Sequence, residues 1–291
     1  MTHKQIDGIF KEQGIFGRDV TISGAQQIIM TSREGNQEYQ IFVFKPNEEP
    51  PPSGYPVIYV LDANSVFGTF VESVRLQSSR PEKTGVVPAI IVGIGYVTDG
   101  LFSSSRHYDF TMPGTVPELH NRPDGTPWPR RGGAEYFLKF IEEDLKPKIQ
   151  RHFHIDNKRE TLFGHSLGGL FVLQTLYTRP DLFNTFVAGS PSIYFNKNFF
   201  LKNEKEFQYK LRQQNINVDV FIGVGELEKD HRSNMTDNAR EFSSRLSALK
   251  RCGVRTSDFK EFEGESHLSV LLPFINRVLR FALKPNDTKQ G

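Results

Sequence analysis

Two unbroken apolar runs, Val57-Ile58-Tyr59-Val60-Leu61 and Ala89-Ile90-Ile91-Val92-Gly93-Ile94, constrain this chain more than any other feature. A strand with one face in water alternates apolar and polar residues. A strand that is apolar throughout has both faces covered, the condition of a parallel sheet held between helices. Further short apolar stretches predict strands at 160–164, 183–188, 218–224 and 259–263. Between and after them the spacing predicts helices at 64–75, 134–151, 167–177, 234–251 and 268–282. In 134–151 the helical period is carried by Phe137, Phe140, Ile141, Leu145 and Ile149, with Pro147 near the end. Strand and helix in alternation argue for a mainly parallel central sheet with helices on both faces. Ahead of it, Gln27-Ile28-Ile29-Met30 and Tyr39-Gln40-Ile41-Phe42-Val43-Phe44 flank the turn-like Ser32-Arg33-Glu34-Gly35-Asn36 and read as an antiparallel hairpin. The prolines between 46 and 56 cannot continue a ladder and mark a surface connection.

No repeat and no low-complexity linker divides the chain, so residues 1–291 are expected to form one α/β domain. Residues 97–133, rich in Ser, Pro, Gly, Arg and His, have no periodicity. A loop of that length inside a compact domain is usually functional, here a substrate-binding loop or a small lid. Residues 285–291 read as a tail. The charges nearly cancel, 36 Lys and Arg against 34 Asp and Glu, which excludes the global basic field of a general nucleic-acid binder. The lone Cys252 excludes an internal disulfide framework and a cysteine-rich metal site, and suits packing at a helix end. Residues 1–14 carry charge without the apolar core of a signal peptide, and no stretch reaches the roughly 20 apolar residues of a membrane span. The expectation is a cytoplasmic protein with no membrane and no nucleic-acid partner.

Chemistry enters at Gly164-His165-Ser166-Leu167-Gly168. This is the G-x-S-x-G nucleophile elbow, set between a predicted strand and a predicted helix, where small residues permit the sharp turn that lifts a serine hydroxyl above the sheet. The pattern names the α/β-hydrolase fold and makes Ser166 the candidate nucleophile. Such a serine needs a base. His267 lies after the last predicted strand and before the last helix, where that fold carries its histidine. His152 and His154 stand at i and i+2, a poor spacing for a shared metal on a helix, and no metal site or cofactor is expected. The third member should be a carboxylate after 218–224, where Glu226, Glu228 and Asp230 compete. Glu228 is favoured because it lies deep enough in its loop to turn toward His267; Glu226 stands second and Asp230 third, and a Ser-His dyad without an acid stays open. The oxyanion is assigned to backbone N–H groups of Leu167, after the nucleophile, and of Asn64, after an early strand. Asp62 is expected to brace that early loop, and Asn64 also suits a helix cap.

Taken together, Tyr59-Val60-Leu61-Asp62-Ala63-Asn64, Arg106-His107-Tyr108-Asp109-Phe110-Thr111, Gly132-Gly133-Ala134-Glu135-Tyr136-Phe137, Gly164-His165-Ser166-Leu167-Gly168-Gly169, Gly225-Glu226-Leu227-Glu228 and Glu263-Gly264-Glu265-Ser266-His267 resemble the esterase D family of α/β hydrolases. The resemblance covers nearly the whole length and points to the branch of enterobactin, salmochelin and bacillibactin esterases. It implies cofactor-free hydrolysis of carboxylic esters, and in this branch cleavage of the trilactone backbone of a catecholate siderophore to release iron. Ala63 stands where many relatives have Gly, and Phe110 where many have Tyr; neither is a reacting group.

The long loop suits that substrate. Arg106, His107, Arg122, Arg130 and Arg131 gather positive charge where open sheets bind ligands, and a ferric tris-catecholate is trianionic. Arg106 and His165, the variable position of the elbow, are taken as substrate contacts, although loop arginines often pair with nearby acids instead. Trp128, Tyr108 and Phe102 offer aromatic faces for catechol rings or pack the loop down. A neutral substrate, such as a thioester or a feruloyl or xenobiotic ester, would leave the arginines unexplained. A non-catalytic binding module would leave the serine, histidine and acid, in their expected chain order, unexplained.

Overall fold

The computed structural model describes residues 20–114, 125–230 and 232–285. The expectations for residues 1–14, for the tail beyond Pro285, and for Arg122 in the long loop lie outside the described residues.

One eight-stranded sheet organises the chain in the order β1-β2-β4-β3-β5-β6-β7-β8. β1 (Ala25–Thr31) and β2 (Glu38–Phe44) form the antiparallel hairpin, and β2 also runs antiparallel to β4 (Ile90–Gly95). From β4 onward every neighbour is parallel, through β3 (Tyr55–Leu61), β5 (Ile155–His165), β6 (Thr185–Gly189), β7 (Val218–Gly225) and β8 (Val254–Phe262). This is the mainly parallel α/β arrangement expected.

Every residue of β3, β4 and β6 is buried, because each strand feeds two cores. Side chains alternate across a strand with a period of two. Val57, Tyr59 and Leu61 of β3 point into one cluster, with Leu162, Phe186 and Val220 beside them and the helices Leu167–Thr178, Lys197–Gln213 and Met235–Ala248 above. Ile58 and Val60 join the opposite cluster, with Phe163, Val187 and Phe221, under the helices Ala63–Ser78 and Leu271–Ala282.

Three expectations needed correction. Residues 134–151 do not form one α-helix. Ala134–Lys139 passes through a π-helical turn, Phe140–Leu145, before α-helix resumes at Lys146–His152. The Lys146 N–H donates to the Ile141 carbonyl five residues back, just ahead of Pro147, which has no N–H to continue a regular ladder. The helix Lys197–Gln213 has no counterpart in the sequence reading. Its buried residues are Phe200, Phe207 and Leu211, too sparse an apolar stripe to register as a period. β5 and β8 begin five residues before the predicted strands, because their first halves are polar. In β8, an edge strand, exposed Arg255, Asp258 and Lys260 are the charged dressing that edges carry.

The loops after β3, β4, β5, β6, β7 and β8 leave from the carboxyl ends of the strands, and the site is built from them.

Candidate active site

The elbow forms because β5 runs into the helix Leu167–Thr178 with only Ser166 between them. Ser166 takes φ 59° and ψ −116°, a conformation L-residues rarely adopt, and it is held there from three sides. Its N–H donates to the Gly189 carbonyl at 2.8 Å, and its own carbonyl accepts from Leu170 at 3.0 Å and Ser192 at 3.1 Å. Gly164 is required: a Cβ there would fall on the backbone of Gly168, the second residue of the helix.

Ser166 Oγ lies 3.1 Å from His267 Nε2, and His267 Nδ1 lies 2.7 Å from Glu228 Oε2. A carboxylate on Nδ1 fixes the tautomer: Nδ1–H donates to Glu228, which leaves the Nε2 lone pair to accept the serine proton. Glu228 is 3 % exposed and His267 35 % exposed, so the acid is sealed while the base meets the site.

The three candidate acids separate by what they accept. Glu228 Oε1 takes hydrogen bonds from Gly225 N–H at 2.7 Å and Ser190 Oγ at 2.6 Å, while its other oxygen faces His267. Burial by itself would raise the Glu228 carboxyl. The donors from His267, Ser190 and Gly225 outweigh it and hold the group below its ordinary value, so it is ionised at neutral pH. Glu226 turns elsewhere, accepting the Gly264 N–H at 3.0 Å and pairing with Lys229, and Asp230 is exposed. The acid loop lies directly on the histidine loop, with Leu227 N–H donating to the Glu265 carbonyl at 3.0 Å; a Cβ on Gly225 would strike that carbonyl.

Asn64 is the second residue of the helix Ala63–Ser78 and Leu167 the first of the elbow helix. N–H groups in a first helical turn have no intrahelical acceptor and sit at the positive end of the helix dipole, a setting for a developing oxyanion. The Asn64 side chain does not cap its own helix. Its Oδ1 accepts the Tyr96 N–H at 2.8 Å and its Nδ2 donates to the Tyr96 carbonyl at 2.9 Å, which pins the loop after β3 to the loop after β4.

The two residues taken as substrate contacts are both turned inward. His165 is buried, its ring centroid 4.7 Å from that of His267. Burial, then the neighbouring His267 and Arg106, push its imidazole well below the ordinary range, so it is neutral. Arg106 reaches Asp62 with two hydrogen bonds and lies between the rings of Phe102 and Phe110. Elsewhere in the loop, Arg130 covers the Tyr108 ring at 4.3 Å, and Trp128 packs edge-on against Phe195 at 4.9 Å.

Sequence reasoning missed Ser190 and Ser192, which follow β6. Ser190, at φ 38°, donates to Glu228, and Ser192 Oγ lies 3.4 Å from Ser166 Oγ. The available signal was Gly189-Ser190-Pro191-Ser192, a polar turn at the carboxyl end of a buried strand. As a whole the arrangement suits acyl transfer through a serine ester.

The model of the Esterase family, described as "Putative esterase", matches residues 32–269. Ferri-bacillibactin esterase BesA of Bacillus subtilis (strain 168) is 57% identical over 266 residues, covering 91% of this chain and 92% of its own. A siderophore enterobactin esterase of Emericella nidulans is 34% identical over 77% of this chain and 80% of its own. Among solved structures, the BES protein from Bacillus cereus superposes with a TM-score of 0.85 at 43% identity, covering 93% of this chain and all of that one.

Proposed function

The chain belongs to the Esterase family, and on that premise we propose that it hydrolyses the ester bonds of a catecholate siderophore trilactone, with Ser166 as nucleophile, His267 as base and Glu228 as the acid. It is a carboxylic ester hydrolase. The observation that carries the residue roles is the continuous line from Ser166 Oγ through His267 to buried Glu228, at 3.1 and 2.7 Å. The substrate class is supported by the 57% identity to a ferri-bacillibactin esterase across nine-tenths of the chain.

Ser166 Oγ attacks the ester carbonyl while His267 Nε2 takes its proton, and ionised Glu228 stabilises the imidazolium that results. The N–H groups of Asn64 and Leu167 receive the oxyanion. Collapse expels the alcohol, which takes its proton from His267, and leaves an acyl-serine. Water then attacks that ester, His267 accepting its proton, and the second collapse returns the serine hydroxyl and frees the carboxylic acid. On a cyclic trilactone the first cycle opens the ring and later cycles shorten the linear product. Residues 97–133 act as the substrate loop of a single catalytic unit.

No described helix is long and apolar enough to cross a membrane. Our reading assigns the reaction to the cytoplasm, on a small-molecule ferric complex already carried inside.

The test is hydrolysis of a ferric catecholate trilactone and of a p-nitrophenyl ester by wild type and Ser166→Ala, with products followed by chromatography. Serine-dependent cleavage of both is expected. Cleavage of only the simple ester would refute the substrate, and full activity in Ser166→Ala would refute the nucleophile.

A further inference from the structure

Arg106 belongs to the loop after β4, yet its side chain is only 12 % exposed and that of its partner Asp62 only 5 %. The pairing is fork to fork: Nε donates to Asp62 Oδ1 at 2.9 Å and Nη2 to Oδ2 at 2.7 Å. The same Nη2 lies 3.5 Å from the carbonyl oxygen of His165. One guanidinium therefore bridges two segments that are remote in sequence. Asp62 stands two residues before Asn64, and His165 stands two residues before Leu167. These are the two residues whose N–H groups are assigned to the oxyanion.

Asp62 is itself a hinge point. It takes a left-handed conformation, φ 52° and ψ 41°, immediately before the helix Ala63–Ser78, and its carbonyl accepts both the N–H and the hydroxyl of Ser65. Its carboxylate also borders the elbow helix, since a Cβ on Gly168 would sit 3.4 Å from Oδ2. The ion pair thus fills the space between the start of one helix and the start of the other.

We propose that Arg106 and Asp62 are a positioning pair that sets the separation of the Asn64 and Leu167 N–H groups, and that Arg106 acts through them rather than by touching substrate anions. The proposal rests on the esterase reading of Ser166 but not on which ester is cleaved. An oxyanion hole works because its donors are already aimed at the place where charge develops, and a small displacement of one of them weakens the transition state far more than the bound substrate. A planar guanidinium gripping a carboxylate at two points resists such displacement; an ammonium gripping at one does not.

The experiment uses Arg106→Lys, Arg106→Gln, Asp62→Asn and the Arg106→Gln/Asp62→Asn double variant. Each is assayed on neutral p-nitrophenyl acetate and on the trianionic ferric trilactone, with folding checked by circular dichroism and melting temperature. Positioning predicts that kcat falls about 10- to 100-fold on both esters while KM stays within about threefold, because the loss is confined to the transition state. The double variant should be little worse than either single one, as for two members of one unit. A raised KM for the trianion with an unchanged rate on the neutral ester would mean direct substrate contact and would overturn the proposal. Wild-type kcat in folded variants would overturn it equally, and so would failure of every variant to fold, which would make the pair a support of the fold alone. Failure of the parent reading is seen separately, as activity that survives Ser166→Ala.

Discussion

Glu226, Glu228 and Asp230 follow β7 within a few residues, and what each one accepts decides which can act. Glu228→Gln keeps the size but cannot hold the Nδ1 proton as an anion, so kcat should drop by about 100- to 10,000-fold with the fold intact. Glu226→Gln should stay within about fivefold, since its contacts are to Gly264 and Lys229. Steady-state kinetics of the two variants decides the matter; near-normal turnover in Glu228→Gln would leave the site a serine-histidine dyad. Ser190→Ala removes one of the donors that keep Glu228 ionised, and a fall in kcat of roughly tenfold is expected, with little change in KM. Ser166 and His267 were legible in the sequence because their chemistry has a fixed local pattern and chain order. Glu228 was legible only as one of three. Ser190 was legible only as part of a polar turn, because its role depends on a positive φ and on a contact 38 residues away. Arg106 shows the opposite difficulty: its charge was plain, but the partner that absorbs it lies 44 positions upstream.

At the scale of elements, the elbow makes the sharpest demand. Gly164→Ala places a methyl group on the backbone of Gly168, so either β5 or the elbow helix must shift. Expected together are a fall in melting temperature and loss of labelling by a fluorophosphonate probe, with hydrolysis reduced at least about 100-fold as Ser166 leaves its geometry. Unchanged labelling kinetics would show that the turn tolerates a side chain. The elements that the sequence revealed are those whose burial is complete. β3 and β4 are apolar end to end because both faces are covered, whereas β8 and the first half of β5 have polar residues that give no strand signal. The helix Lys197–Gln213 packs through Phe200, Phe207 and Leu211 while charged residues fill much of the rest. Its helicity is decided by contact with the neighbouring helices, where Phe200 and Phe207 meet Tyr177 and Phe200 meets Phe242, a tertiary fact that a local period does not record. The π-helical turn at Phe140–Leu145 is likewise set by its packing context, with Pro147 as the visible part of the cause.

For the molecule as a whole, the dependence of stability on pH should carry the mark of one buried acid. Asp109, at the end of the single helical turn Arg106–Asp109, is 3 % exposed, and burial pushes its carboxyl up from 3.8 to about 7. The Tyr96 hydroxyl, 3.0 Å away, and that of Tyr39 donate to it and limit the rise. Because its value is higher folded than unfolded, the native state binds more protons than the unfolded chain between pH 4 and 7. The stability this contributes is full below about pH 4 and is lost as the pH rises through about 7. At 1.36 kcal/mol per unit, the loss is on the order of 4 kcal/mol. Asp109→Asn retains an acceptor for the tyrosines but cannot ionise, so its urea midpoint should fall less than that of wild type between pH 5 and 8 and should exceed it at pH 8. The turn that ends in Asp109 begins with Arg106, so the same titration bears on the loop beside the oxyanion donors. Ionisation of Asp109 adds a second buried anion one turn from the Arg106–Asp62 pair. If urea midpoints of the two proteins shift in parallel across that range, the acid is not titrating there, and burial must hold its proton to higher pH against the two tyrosine donors.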